Sequence, residues 1–302
     1  MGSLTKDQID HYWREGYVIV PKVLEPNEIN RYLIRARDIV LGDHPEEAAN
    51  RVIKDIAFAK KLLPMPEDPE HAIWKLINPD RFDTTFKEAL RFPRVLDAVE
   101  SLIGEDLMAF LLMFIYKPPG VAKAVHPFHQ DAAYFMFKPQ DRCLGVWIPL
   151  DPVNEENGSL SIVPRSHELE VQDHLVKDGI NFGALAASGI ENNPEFHEKA
   201  ITLTMEPGEC LLFNTRLLHR SGGNRTQSHR RVITLHMAST TCEMTGPGLS
   251  EYAFNHVRGQ LHEGCLQPVE SPTLKLENRF LEERFSPTSK SPTEDKSERS
   301  ID

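Results

Sequence analysis

No apolar run in this sequence is long enough to cross a bilayer. The longest, Leu107 to Tyr116, is short and strand-like, whereas a spanning helix needs roughly 20 apolar residues. Cysteine is scarce. The four present, Cys143, Cys210, Cys242 and Cys265, include no CxxC pair, so reduced structural thiols are expected rather than a disulfide framework. Positive charge is in deficit. Lys and Arg number 34 against 45 Asp and Glu, a net charge of −11, which speaks against the clustered basic face of a nucleic-acid binder. A small anionic substrate stays open, because one pocket can be basic in an acidic protein. The N-terminal MGSLTKDQIDHYWREGY lacks a basic start followed by an apolar block, so no secretory signal is read. It also lacks the Ser or Thr of a myristoylation pattern, that place being Lys6. The final Ser300-Ile301-Asp302 is not the SKL peroxisomal address, and a cytoplasmic location is expected. No internal repeat is present.

Hydrophobic residues make up 40% of the 302, enough for a sizeable core. The first hundred residues read as mostly helical. Thr5 caps a predicted helix over Lys6 to Glu15, and the apolar YVIVPKVL follows as a strand-like segment. Pro26 opens a second helix, with Ile29, Leu33, Ala36, Ile39 and Val40 at helical spacing. Val52, Ile56, Ala59 and Leu63 predict a third. Phe92 to Ile103 predicts another, stopped by Gly104. From Leu107 the rhythm changes to short strands separated by Pro, Gly and Asn: LMAFLLMFIY, CLGVWIPL, SLSIV, AITLTM, ECLLFN and RVITLHMAS. That pattern predicts a sandwich or jelly roll, with a core at about 107–240 inside one domain of 1–285. Residues 184–199 break the rhythm and are expected to form a surface insertion. Residues 286–302 have almost no apolar content and are expected to form a disordered tail.

One constellation carries chemistry. HPFHQDAAYF contains His129-x-Asp131, and on a strand residues i and i+2 share a face. Alone the pattern is weak: with 13 histidines, about one His-x-Asp is expected by chance, and a buried, hydrogen-bonded histidine is the plainer account. A third ligand would come from a distant strand, and His219, after ECLLFN and TRLL, is the candidate. Two histidines and one carboxylate leave three octahedral positions open, the arrangement suited to non-haem iron(II) oxygenases. Arg230, 11 residues beyond His219, offers a fork for the far carboxylate of 2-oxoglutarate, and Ser221 shares the face of His219. The plainer accounts are a surface ion pair and a loop serine. His126 is read as shaping the strand entry, His167 as loop support, His236 as core or as a neighbour of the ligands, and Asn157-Gly158 as a tight hairpin turn. Trp147, on burial preference alone, is a core aromatic.

These segments together resemble the phytanoyl-CoA dioxygenase family, and within it the phytanoyl-CoA hydroxylases. The matching stretches are KPPGVAKAVHPFHQDAAYF, LGVWIPLDPVNEENGSLSIVPRSH and MEPGECLLFNTRLLHRSGGNRTQSHRRVITLHMAS, within a similarity spanning 5–259. The resemblance implies iron(II) on His129, Asp131 and His219, and 2-oxoglutarate on Arg230. It also implies cosubstrate contacts at Trp147, Ser221 and Lys75 of AIWKLINP, with Gln130 at the site mouth. The implied fold is a double-stranded β-helix, a cupin-like jelly roll buttressed by N-terminal helices. The implied reaction is hydroxylation with O2, releasing succinate and carbon dioxide, with ascorbate as an expected stimulant. The substrate would be a fatty acyl-CoA or a small natural product. A halogenase is disfavoured because Asp131 fills the position that chloride would need. A non-catalytic jelly-roll binding module predicts a damaged ligand set, and this one is intact. The sequence does not give the oligomeric state.

Overall fold

Thr5 opens the first helix, α1 (Lys6–Glu15), with a reciprocal cap: its hydroxyl accepts from the Gln8 amide, and the Gln8 side chain accepts from the Thr5 amide. Gly16 ends it at φ +88°, where a Cβ would also meet His167 Nδ1 at 2.5 Å, so glycine is required twice over. Helix α2 (Pro26–Val40) begins with proline in its first turn and buries Ile29, Tyr32, Ala36 and Ile39. Two short helices, α3 (Ile56–Ala59) and α4 (Thr84–Ala89), precede α5 (Pro93–Ile103), which stops at Gly104; α6 (Pro194–Lys199) comes much later. This computed structural model describes residues 3–135, 137–176, 185–190, 193–244 and 253–269. The expected tail at 286–302 lies outside them.

The strands in chain order are β1 (Tyr17–Val20), β2 (Val52–Lys54), β3 (Ile73–Ile77), β4 (Leu107–Lys117), β5 (His126–His129), β6 (Phe137–Lys138), β7 (Cys143–Pro149) and β8 (Leu160–Ile162). They continue with β9 (His174–Val176), β10 (Leu185–Ala187), β11 (Ile201–Thr202), β12 (Cys210–Asn214), β13 (His219–Ser221), β14 (Arg230–Ser239), β15 (Glu243–Met244) and β16 (Phe254–Arg258). The large sheet runs β1-β12-β7-β14-β4-β3-β2, with β16 also on β4. The small sheet runs β11-β8-β13-β5, and pairs β10-β9 and β15-β6 flank the two. All pairings are antiparallel. The expected jelly roll is the observed fold.

Alternation along each strand assigns its two faces. On the outer face of the large sheet, Leu144, Val146, Leu212, Ile233 and Leu235 pack with the helices through Tyr32, Val95 and Val99. On the inner face, Trp147, Leu211, Phe213 and Val232 meet Leu160, Ile162 and Leu217 from the small-sheet side. Burying each such side chain contributes roughly 1.5–3 kcal/mol, so the two layers are held firmly around one interior.

One local expectation is corrected and another is refined. The predicted third helix over Val52 to Leu63 is instead β2 followed by the single turn α3. Val52 and Ile53 are β-branched and pair with β3 at the sheet edge, while the Asp55 carboxylate accepts from the Ala57 amide and starts a separate helix. The expected surface insertion at 184–199 is partly structured. Ala187 and Ile190 pack behind the small sheet on Phe128, Val163 and Leu218, and α6 follows.

Candidate active site

Cross-strand register brings the two histidines together. β13 pairs with β5 so that His219 lies opposite His129, with ring centroids 4.1 Å apart. Gln130 continues the extended backbone for one residue (φ −118°, ψ 127°), returning Asp131 to the face of His129. Asp131 itself opens a 3-10 turn, Asp131–Ala133, rather than lengthening the strand. All three side chains are buried, and one ligand atom from each lies within 4.8 Å of the others.

Their orientation suits a metal. The Nδ1 of His129 lies 2.9 Å from the Pro127 carbonyl, and that of His219 lies 2.9 Å from the Leu217 carbonyl. A carbonyl only accepts, so each Nδ1 carries the proton and each Nε2 keeps its lone pair. Those Nε2 atoms stand 3.5 and 3.7 Å from Asp131 Oδ1. Three lone-pair atoms therefore converge with no proton between them, an arrangement that a cation satisfies. Burial, followed by repulsion from His129, pushes His219 down to about 4, so its imidazole is neutral at physiological pH, as a ligand must be. The other carboxylate oxygen, Asp131 Oδ2, accepts from His236 Nε2 at 2.8 Å.

The inner face of the large sheet supplies positive charge. Arg230 begins β14 opposite Lys117 of β4 and is 2% exposed. Its Nη2 donates to the Gly158 carbonyl at 3.0 Å, its Nε has no partner, and no carboxylate pairs with it among the described residues. Its Cζ lies 5.8 Å from the Trp147 ring centroid. Burial pushes the guanidinium down to about 9, which leaves it charged at neutral pH. Lys117 is also buried and donates to the Ala124 carbonyl at 2.6 Å; burial and then Arg230 hold it well below the usual lysine range. Lys75 stands opposite Ile115 on β4, its Nζ 3.9 Å from the Trp74 ring centroid, and burial pushes it down to about 8. His126, opposite Ser221 in register, is held well below the usual range by burial and then by His129, Lys117, His219 and Lys75. Its Nε2 is buried without a partner. A buried guanidinium without a counter-ion is costly, and an anionic group such as a carboxylate would offset that cost.

The structure thus gathers His129, Asp131 and His219 at one point, and ties Arg230 to Trp147 and Ser221 to His126. Gln130 is placed differently from its expected position at the site mouth. Its side chain projects opposite to its neighbours: Nε2 donates to the Arg216 carbonyl at 2.8 Å and Oε1 accepts from the Gln172 amide at 2.8 Å. With those atoms so engaged, it anchors the 170–174 segment. His167 supports a loop as expected, its Nε2 3.1 Å from the Trp13 carbonyl. Sequence reasoning missed Lys117, His126 and Gly158. For Lys117 the available signal was its place at the end of β4. For Gly158, read as a turn, no sequence signal pointed to its carbonyl.

Residues 12–232 match the phytanoyl-CoA dioxygenase (PhyH) family. A probable phytanoyl-CoA dioxygenase of Caenorhabditis elegans is 33% identical over 248 residues, 78% of this chain and 76% of that one. The peroxisomal phytanoyl-CoA dioxygenase of Homo sapiens is 28% identical over 247 residues, 79% of this chain and 70% of that one. The crystal structure of the epimerase SnoN in complex with Fe3+, alpha ketoglutarate and nogalamycin RO superposes at a TM-score of 0.61. It covers 88% of this chain and 93% of its own at 21% identity, and so shows the shared fold. These matches make the chain a member of the phytanoyl-CoA dioxygenase family, and with that a 2-oxoglutarate-dependent non-haem iron dioxygenase.

Proposed function

We propose that this enzyme hydroxylates a fatty acyl-CoA, with His129, Asp131 and His219 holding iron(II) and Arg230 holding the far carboxylate of 2-oxoglutarate. The observation that carries the site assignment is the buried Arg230 guanidinium, free of any carboxylate partner among the described residues, in the same interior as the convergent His-Asp-His set. The acyl-CoA reading rests on the relatives named phytanoyl-CoA dioxygenase, matched over most of both chains.

When bound, iron(II) with 2-oxoglutarate supplies oxidative decarboxylation to succinate and carbon dioxide, coupled to insertion of one oxygen atom from O2 into a C–H bond. The protein supplies position. Three protein ligands leave room for a chelating cosubstrate and a gas molecule. The Arg230 fork matches a carboxylate, Trp147 lies beside its guanidinium, and Lys75, at about 8, adds positive potential at neutral pH. Burial of the ligand atoms keeps bulk water from the reacting centre.

The test is succinate release with iron(II), 2-oxoglutarate and a panel of straight and branched acyl-CoAs beside the free acids. Release coupled to an acyl-CoA supports the proposal. Release coupled only to compounds without coenzyme A moves the substrate to a small natural product. Alanine at His129, Asp131 or His219 is expected to abolish turnover, and full activity in Asp131→Ala would remove the ligand assignment.

A further inference from the structure

We propose that His236 is a positioning residue that holds the Asp131 carboxylate in the orientation that presents Oδ1 to iron. The inference rests on the reading of Asp131 as a ligand. The two carboxylate oxygens have separate partners. Oδ1 faces the Nε2 atoms of His129 and His219 at 3.5 and 3.7 Å, while Oδ2 accepts from His236 Nε2 at 2.8 Å. For Oδ2 to swing onto the metal, a buried, charge-assisted hydrogen bond must break with nothing to replace it.

The surroundings fix the imidazole. Its ring centroid lies 4.6 Å from Phe135 and 5.7 Å from Phe110. Its cross-strand neighbour on β7 is Gly145, which puts no Cβ beside it. The Phe213 ring occupies the space a Cβ at Gly145 would need, and lies 4.9 Å from the His219 ring. Nε2 is engaged by Asp131, and Nδ1 is buried among these rings without a hydrogen-bond partner.

The test is metal binding without turnover: anaerobic titration of the metal-free protein with Co(II), followed by its visible absorption. His236→Leu is expected to weaken Co(II) binding by about 10- to 100-fold, the usual effect of losing a partner of a metal ligand. His236→Gln keeps an amide donor and is expected to recover most of that loss. In an Asp131→Ala background, His236→Leu should cause no further loss, because His236 acts through Asp131. Should His236→Leu not fold, His236→Asn, whose amide is too short to reach, takes its place against His236→Gln. Wild-type affinity in the Leu or Asn variant would overturn the inference, as would an undiminished loss in the Asp131→Ala background. Unchanged affinity in Asp131→Ala alone would overturn the ligand assignment beneath it, and this inference with it.

Discussion

Arg230 and Arg231 are chain neighbours on one strand, yet their guanidinium groups have opposite surroundings. Arg231 donates to Asp151 in a two-pronged pair, Nε to Oδ2 at 2.9 Å and Nη2 to Oδ1 at 2.8 Å. Arg230, with even less exposure to water, has a backbone carbonyl and no carboxylate among the described residues. Period-two alternation of the strand sends one to each face of the sheet.

This difference separates two phenotypes. Arg230→Ala should leave melting nearly unchanged but weaken 2-oxoglutarate binding to the anaerobic iron complex. Losing a buried charge pair costs on the order of 2–5 kcal/mol, or roughly thirtyfold or more in affinity. Arg230→Lys should recover part of it, since an ammonium is a point charge and not a fork. Arg231→Ala should do the reverse, lowering stability by about 1.5–3 kcal/mol with little change in cosubstrate affinity. The charge-transfer band of the ternary complex and a thermal melt report the two effects. A large affinity loss in Arg231→Ala alone would move the role along the strand.

Ser221→Ala should be milder. It removes one neutral hydroxyl worth about 1 kcal/mol, so affinity for 2-oxoglutarate should fall roughly fivefold, read by the same titration. A loss as deep as that of Arg230→Ala would make Ser221 a principal contact.

Gly158→Ala should harm both fold and site. The residue sits at φ +81°, and an added Cβ would meet the Gly222 carbonyl oxygen at 2.5 Å and Lys117 Cδ at 2.7 Å. The backbone conformation alone costs an alanine about 1–2 kcal/mol. Because the Gly158 carbonyl holds Arg230, cosubstrate affinity should drop together with the melting temperature. Wild-type values for both would show that the turn relaxes freely.

His229 should make stability depend on pH. Its ring lies 4.7 Å from that of His71, and burial, then Arg231 and His71, push it down to about 4. In an unfolded chain it titrates near 6.5. Between those values the unfolded state holds the proton and the folded state does not. Stability is thus full above about pH 6.5 and declines as pH falls toward 4, by on the order of 1–3 kcal/mol given its partial exposure. His229→Gln should flatten this part of a melting-temperature profile. Superimposable profiles for the two proteins would exclude His229 as its source.

Much of this was legible in the residue pattern, for reasons that also mark its limit. His129-x-Asp131 could be read because an extended backbone returns every second side chain to one face, and one extended residue, Gln130, sufficed. The same alternation put Gln130 on the other face, so its expected role at the site mouth ran against the rule that located its neighbours. The third helix failed because apolar spacing at Val52 to Leu63 fits a helix, and only tertiary pairing with β3 decides for a strand. The bond from His236 to Asp131 joins residues 105 apart. Which histidine comes to rest against which carboxylate depends on sheet order and the register shift between Thr234 and His236, and no local spacing encodes that.

The two halves of the site belong to different sheets. The two histidines proposed as metal donors hang from the four-stranded sheet, whose strands are two to four residues long, with Asp131 in the turn just past its strand β5, and the Arg230 guanidinium hangs from the larger sheet. With the roles proposed above, a cosubstrate gripped at both ends is a cross-tie between two plates, and the weaker plate carries few ladder bonds of its own. At a hundredfold excess over its dissociation constant, such a tie adds about 2.7 kcal/mol to the folded state. With those roles, 2-oxoglutarate would raise the melting temperature as well as support turnover.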